Sequence, residues 1–452
     1  MRESHHHCSA LLRAVRACAS VGSEYRKLGP ITPALPGASA LAELSAVAEP
    51  AGDPGEIVGV ATYGAGMPES GSAAQATLTR AQVIAFRWHA HQLDRPPGSA
   101  AGLDDVALLD FGIQDTGQQA ARWALTNRGL ESYRDVDTLL GWTIRVSPHL
   151  YRRTDTSPVA RATAPLSEAD AARRIYDAAK PLRAAGLGVL DSLAVVAKGE
   201  RAIVKKPTVK GELSTALTAV LDPPYLRRCN PCDAIHAWES PFRMAALQAG
   251  LELQPGTSPP VLQRISGFDP PLFARTSSRA DSRFDVIRNY LRFYGPAGPK
   301  DVAAFLDAPV KEIAARWPAD AVPVAVTGTP GVSGERSMLA DDLQIAGSTP
   351  EKPGAVRILG PYDGYLQLRD RPMLVGDTAH AKDLWRILGR PGAVALDGEI
   401  IGTWRPKSSG TNLTVRFEPW LPTSKARRAE IAEQARRLAA VRGLELTELT
   451  CT

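Results

Sequence analysis

Apolar positions recur three and four apart behind Thr79-x-x-Gln82, a capping box, so the run carrying Val83, Phe86 and Leu93 predicts an amphipathic helix that starts there. Pro96-Pro97-Gly98 ends it. Short apolar segments at 106–113 and 120–130, separated by Gly112 and Gly117, predict further short helical pieces joined by tight turns. The alternating stretch 142–146 is β-prone, and with Tyr151-Arg152-Arg153 it predicts the wing of a first winged-helix unit over 77–160.

Two further units follow the same grammar. Ser167-x-x-Asp170 opens a second one, 161–283, whose first helix is expected to end near Lys180-Pro181, with another helix at 212–221. In a third, 284–345, the pattern gives a helix at 284–293, a turn at Gly295-Pro296-Ala297-Gly298-Pro299, and helices at 301–306 and 310–317, at helix-turn-helix spacing. Beyond Pro318 short strands are predicted at 322–326, 356–359, 365–368, 373–375, 394–396, 400–404 and 413–417, with Asp397-Gly398 as a hairpin turn. A helix at 424–442 closes the chain. The expected fold is α+β: tandem winged-helix units followed by a β-rich domain, 346–452, built on a small antiparallel sheet or barrel.

Composition narrows the functional classes. A chain of 452 residues implies two to four structural units. No apolar run approaches the roughly 18 residues of a membrane span, so no membrane partner is expected. Five cysteines are too few for a secreted disulfide framework and suit a reducing cytoplasm. The net charge of +5 permits nucleic-acid binding without requiring it. The stretch 1–76, rich in Ala, Gly, Pro and Ser, is expected to be a disordered extension; Arg13 and Arg16 break its apolar run, which argues against a secretory signal, and His5-His6-His7 have no partner motif.

The densest basic stretch, Lys198, Arg201, Lys205, Lys206 and Lys210 against Glu200 alone, is either a phosphate footprint or a solvated loop. Cys229-x-x-Cys232 with His236 has the spacing of zinc ligands, but four are normally required and no second pair follows, so ordinary thiols are expected and no metal. Gly328-Thr329-Pro330-Gly331 lacks the Lys-Ser/Thr of a phosphate-binding loop, and no cofactor is implied.

Three stretches carry a resemblance: Gly112-Ile113-Gln114-Asp115-Thr116, Gly141-Trp142-x-x-Arg145-x-x-Pro148-His149, and Asp397-Gly398-Glu399-Ile400-Ile401-Gly402-Thr403-Trp404. With Lys210-Gly211-Glu212-Leu213, the 290–298 segment and Leu359-Gly360-Pro361-Tyr362-Asp363 in the same order, residues 78–445 resemble the winged-helix DNA-binding family that contains the AlkZ-like DNA glycosylases. The resemblance implies double-stranded DNA as partner and a catalytic signature of glutamine, an apolar residue, then glutamine or aspartate. Gln114 matches its first position, whereas Asp115 replaces the apolar residue and Thr116 the last.

Cleavage of an N-glycosidic bond needs a positioned water and stabilisation of an oxocarbenium-like state. Asp115 is therefore read either as a carboxylate for that chemistry or as a turn or N-cap residue, and Thr116 as a weaker water ligand. On the predicted wing Arg145 and His149 reach phosphate or a groove edge, or pack inside, while Arg152 and Arg153 meet the DNA backbone. The expected activity is monofunctional hydrolysis releasing alkylated or bulky purines, by a monomer; the alternative is a non-enzymatic DNA-binding protein or transcriptional regulator.

Overall fold

The computed structural model describes residues 76–274, 281–329, 334–348 and 354–451. The expected N-terminal extension up to Gln75, with its histidines and Cys8 and Cys18, lies outside them, as do Pro330 and Gly331. No helix among the described residues is long and apolar enough to cross a membrane.

Strand Ala76–Thr79 runs straight into helix Arg80–Ala90, and the expected capping box is formed: Thr79 Oγ1 accepts from the Gln82 amide while Gln82 Oε1 accepts from that of Thr79. The helix buries Val83, Ile84, Phe86 and Trp88. In sequence this strand belongs with the first helical unit; in space it pairs in parallel with Ala321–Thr327, which pairs antiparallel with Ser337–Leu339. Helix Val286–Tyr294, capped by Asp285 through the amides of Ile287 and Arg288, packs on the Ser337–Leu339 strand of that sheet, and Pro299–Leu306 and Val310–Ala314 pack on each other; these are the three helices read from spacing.

A second antiparallel sheet has Pro148–Arg152 at its centre, between Ile113–Gln114 and Thr138–Trp142. The strand expected at 142–146 is a correction: pairing ends at Trp142, and Ile144–Val146 is a tight turn with Arg145 and Val146 at φ of 54° and 49°. The second unit starts as expected, with Ser167 capping Glu168–Arg174, but that helix breaks at Tyr176 (φ 53°) instead of Pro181. Pro181 sits in the first turn of the next helix, Ala179–Ala184, where its missing N–H costs nothing. Beyond come helices Val189–Ile203, Lys210–Thr218 and Glu239–Gln248, a small sheet of Thr208–Val209, Val261–Arg264 and Leu251–Leu253, and a two-stranded hairpin, Leu226–Cys229 with Ala234–Ala237.

The C-terminal sheet orders Val356–Leu359, Gly392–Leu396, Glu399–Ser409, Asn412–Pro419 and Glu445–Cys451. Its first four strands are antiparallel, with Asp397 and Gly398 both at positive φ in the hairpin turn. The last is parallel to Asn412–Pro419, because helix Lys425–Val441 carries the chain back across the sheet, so the wholly antiparallel expectation is corrected. The strands expected at 365–368 and 373–375 are instead a 3-10 turn, Gly364–Leu366, and a short helix, Arg371–Leu374.

One large apolar core runs from Leu78 to Ile400; a second, around Ile358, Trp404, Phe417, Ile431 and Leu438, lies between the C-terminal sheet and its helix and also takes in Trp123. The Trp123 indole (2.7 Å) and the Asn127 amide (3.1 Å) both donate to the Ile358 carbonyl, which fixes helix Ala120–Asn127 to the edge strand. Buried ion pairs tie remote segments together: Arg128 with Asp363 at 2.9 Å, and Asp370 with both Arg87 (2.8 Å) and Arg336 (3.0 Å).

Candidate functional site

Gln114 is positioned by its ladder. It pairs with His149 in the register that also sets Ile113 opposite Leu150, and the Asp115 amide continues the ladder to the Pro148 carbonyl at 2.9 Å. The chain can enter this strand only through glycine: Gly112 has φ of 97°, and a Cβ there would lie 2.5 Å from the Tyr151 ring. After the strand, Gly117 (φ 110°) and Gln119 (φ 53°) turn the backbone into helix Ala120–Asn127. Asp115 Oδ1 accepts from the Ala121 amide at 2.9 Å, holding the first turn of that helix. Burial raises the Asp115 carboxyl's pKa, against the opposing pull of the Ala121 and Ala120 amides.

The Gln114 side chain, 8% exposed, is held at both ends. Its Nε2 donates to Thr116 Oγ1 at 3.0 Å, and its Oε1 accepts from Arg145 Nη2 at 3.3 Å. Arg145 stands on the turn between two strands of the same sheet, where its left-handed backbone turns the guanidinium inward. That group also donates to Gln367 Oε1 (3.1 Å) and the Phe305 carbonyl (3.2 Å), and lies 4.4 Å from the centre of the Phe305 ring. Arg369 approaches the same ring at 5.9 Å. Neither Gln367 Nε2 nor Arg369 Nε has a hydrogen-bond partner among the described residues.

A neutral amide, a hydroxyl and a guanidinium thus converge from segments far apart in the chain. They can orient water and hold an anionic oxygen, but none is a strong base at neutral pH. Sequence reasoning missed Phe305, Gln367 and Arg369. Gln367 and Arg369 lie just past Leu359-Gly360-Pro361-Tyr362-Asp363, a stretch singled out above, Gln367 within the segment misread as strand and Arg369 directly after it.

Other expected contacts are placed differently. His149 is 3% exposed, with Nδ1 2.9 Å from the Ser147 carbonyl; burial above all, with the nearby Arg145 charge, lowers its pKa to about 3. Arg152, also 3% exposed, is held by Asp110 (2.7 Å), Asp155 (3.1 Å) and the Leu103 and Val106 carbonyls. Arg153 donates to the Val136 and Thr138 carbonyls and to Glu252. The expected wing at 151–153 is therefore an internal strand end, whose cations tie loops together. Lys205 and Lys206 are exposed between Val189–Ile203 and Thr208–Val209, whereas Lys210 pairs with Glu239 at 2.8 Å. Glu239 is lowered to about 2 although burial opposes this, because Arg243 and Lys210 both face it.

His149 supplies a pH test. Its folded pKa lies below the ordinary value near 6.5, so its contribution to stability is present above pH 6.5 and is lost as pH falls from there towards 3. His91, buried among Phe293, Tyr294 and Tyr365, acts in the same direction. The melting temperature should therefore fall more steeply between pH 7 and 4.5 in the wild type than in His149→Gln. Identical slopes would show that His149 is not buried and neutral.

Comparison with known proteins agrees with this frame. A family model described as DNA glycosylase AlkZ-like matches residues 112–441, well over half of the chain and starting at the glycine that leads into Gln114. The chain belongs to the AlkZ-like DNA glycosylase family. Among solved structures, DNA glycosylase AlkZ of Streptomyces sahachiroi is similar, with a TM-score of 0.58 and 17% identity, covering 83% of this chain and 100% of that one. At that identity the likeness is one of fold. No curated protein matches the chain.

Proposed function

We propose that the protein is a monofunctional DNA N-glycosylase that binds double-stranded DNA as a monomer and releases alkylated or bulky purines. The observation that carries the reading is the Gln114 amide, fixed between the Thr116 hydroxyl and the Arg145 guanidinium at the start of the family match. In this reading the helical units at 77–160, 161–283 and 284–345 act as winged helices along the duplex, and exposed Lys205 and Lys206 meet its backbone. Arg145 and Arg369 hold the phosphate beside an everted nucleotide, with Phe305 as the apolar wall behind them.

Gln114 and Thr116 orient a water towards the sugar's anomeric carbon. The C–O bond forms as the glycosidic C–N bond breaks; its electron pair leaves with the purine, and the water's proton passes to solvent. A purine made cationic by alkylation accepts that pair and departs neutral, so no acid is required. No lysine is among the groups of this cluster, which is why no Schiff base and no strand cleavage are expected.

The test is release of N3- and N7-alkylpurines from treated duplex DNA, with binding that weakens steeply as salt rises. Binding without base release, beside a working control glycosylase, would favour the non-enzymatic alternative. The observation on that side is that Asp115, the only carboxylate in the motif, faces the helix Ala120–Asn127. Asp115→Asn separates its two roles: Oδ1 still accepts from Ala121, so base release should stay within about threefold of wild type and the melting temperature should hold. Loss of release at unchanged stability would make the carboxylate itself chemical.

A further inference from the structure

The hairpin Leu226–Cys229/Ala234–Ala237 is too small to stand alone, since two short strands have no core of their own. Its register puts Arg227 opposite His236 and Cys229 opposite Ala234, so these four side chains share one face and Arg228 and Ile235 the other. On that other face Leu226 and Ala237, at the hairpin's base, pack against the core, whereas Ile235 is 58% exposed and Arg228 is exposed beside it, so the turn end gains no burial there. On the inner face, Cys229, Cys232 from the turn and His236 bring one ligand atom each to within 4.8 Å of one another.

The individual distances fit a shared ion. Cys232 Sγ lies 3.6 Å from His236 Nε2, the separation of a sulfur and a nitrogen on one tetrahedral zinc, about 3.6 Å from bonds of about 2.3 and 2.0 Å. The two sulfurs are 2.9 Å apart and would open to about 3.8 Å on the same ion. His236 Nδ1 lies 2.8 Å from the Ala237 carbonyl; a proton donated there leaves the Nε2 lone pair directed at the thiols, the arrangement usual for a metal-bound imidazole. Arg227 Nη2, 3.9 Å from Cys229 Sγ, places positive charge beside a developing thiolate.

We propose that Cys229, Cys232 and His236 bind one zinc ion, with water completing the tetrahedron on the half-exposed side of Cys232 and His236. Two thiolates and an imidazole select a borderline-soft ion over magnesium or calcium, and they leave the site neutral. The ion's task is mechanical. The hairpin's last strand is tied to helix Lys210–Thr218 by the Ala237 amide on Thr218 Oγ1, and it leads through Trp238 straight into helix Glu239–Gln248. A clip across the hairpin therefore fixes the approach of two helices whose Lys210 and Glu239 are paired.

The full chain, reduced and stripped of metal, is titrated with Zn²⁺ against a chelating indicator, and with Co²⁺ for the thiolate-to-cobalt charge-transfer band and tetrahedral d–d absorption. Wild type and Cys451→Ser should each take up one equivalent, raise the melting temperature with zinc, and show slowed amide exchange over 226–237. Cys229→Ser and His236→Gln should lose both the uptake and the zinc-dependent stabilisation while keeping the circular dichroism of the metal-free wild type. Wild-type uptake no tighter than that of Cys229→Ser, or a Cys229–Cys232 disulfide that persists in reductant and leaves no uptake, would overturn the site. Neither result bears on base release, so this proposal and the glycosylase reading fail separately.

Discussion

Gln114→Ala should slow release of alkylated purines by about 10²-fold or more, while duplex binding and the melting temperature change little. The magnitude follows from its place: the amide joins Thr116 to Arg145, and removing one fixed hydrogen-bonding group from a preorganised site costs on the order of 10²–10³ in rate. The fold should tolerate the change, because Arg145 keeps Gln367 and the Phe305 carbonyl. Thr116→Ala removes one partner of the amide and one of the two groups that orient the water, and should cost roughly 10-fold, less than Gln114→Ala because the amide stays anchored on Arg145. Single-turnover release from an alkylated duplex gives both numbers. If Gln114→Ala releases base at the wild-type rate, the chemistry lies elsewhere.

The second large effect concerns stability. Asp370→Ala should lower the melting temperature by roughly 4–7 °C, the shift expected from about 3–5 kcal/mol in a unit whose core runs from Leu78 to Ile400. Its carboxylate accepts twice from Arg87 (3.1 and 2.8 Å) and once from Arg336 (3.0 Å), and all three groups are buried. Removing it leaves the buried Arg87 without a counter-charge, and Arg336 with only the more distant Asp301, at 3.6 Å. Arg87 would retain the Tyr294 and Gly295 carbonyls, which stabilise it as dipoles but do not neutralise it. Arg134→Ala is the contrast: its pair with Asp137 at 2.7 Å is solvent-exposed and should leave the melting temperature unchanged. Equal shifts in the two variants would show that Asp370 is hydrated rather than enclosed.

Elements specified by local chemistry were legible. Thr79 and Ser167 cap the helices their sequences announce, and Asp397-Gly398 turns the hairpin because both residues adopt positive φ there. The misreadings arise where the apolar pattern does not report the local backbone. The apolar positions at 365–368 look like a strand, but Asp363 accepts from the Tyr365 amide and bends the segment into a 3-10 turn. The strand Glu445–Cys451 carries alternating polar residues on an exposed edge and so has no apolar signal. In the site, Gln114 was legible through its motif. Gln367 and Phe305, which share the Arg145 guanidinium with it, were not, because only the turn at Arg145 brings them together.

Arg152 teaches the same lesson from the other side. A Tyr-Arg-Arg run at a strand end reads as a basic surface, yet Asp110, a carboxylate 42 residues upstream in an apolar segment, takes the charge inward. Charge counted along a sequence reports partners only when the carboxylates that fold against it are known.

The pairs Arg87–Asp370 and Arg128–Asp363 span 283 and 235 residues, and strand Ala76–Thr79 waits for a partner at Ala321–Thr327. During synthesis the first half of the chain therefore emerges with two core cations uncompensated and a strand edge unpaired. Closure must await the C-terminal half, which makes folding slow by topology and gives chaperones a long window in which to act. A nascent chain stalled before Asp363 would be a substrate for proteolysis rather than a smaller version of the protein.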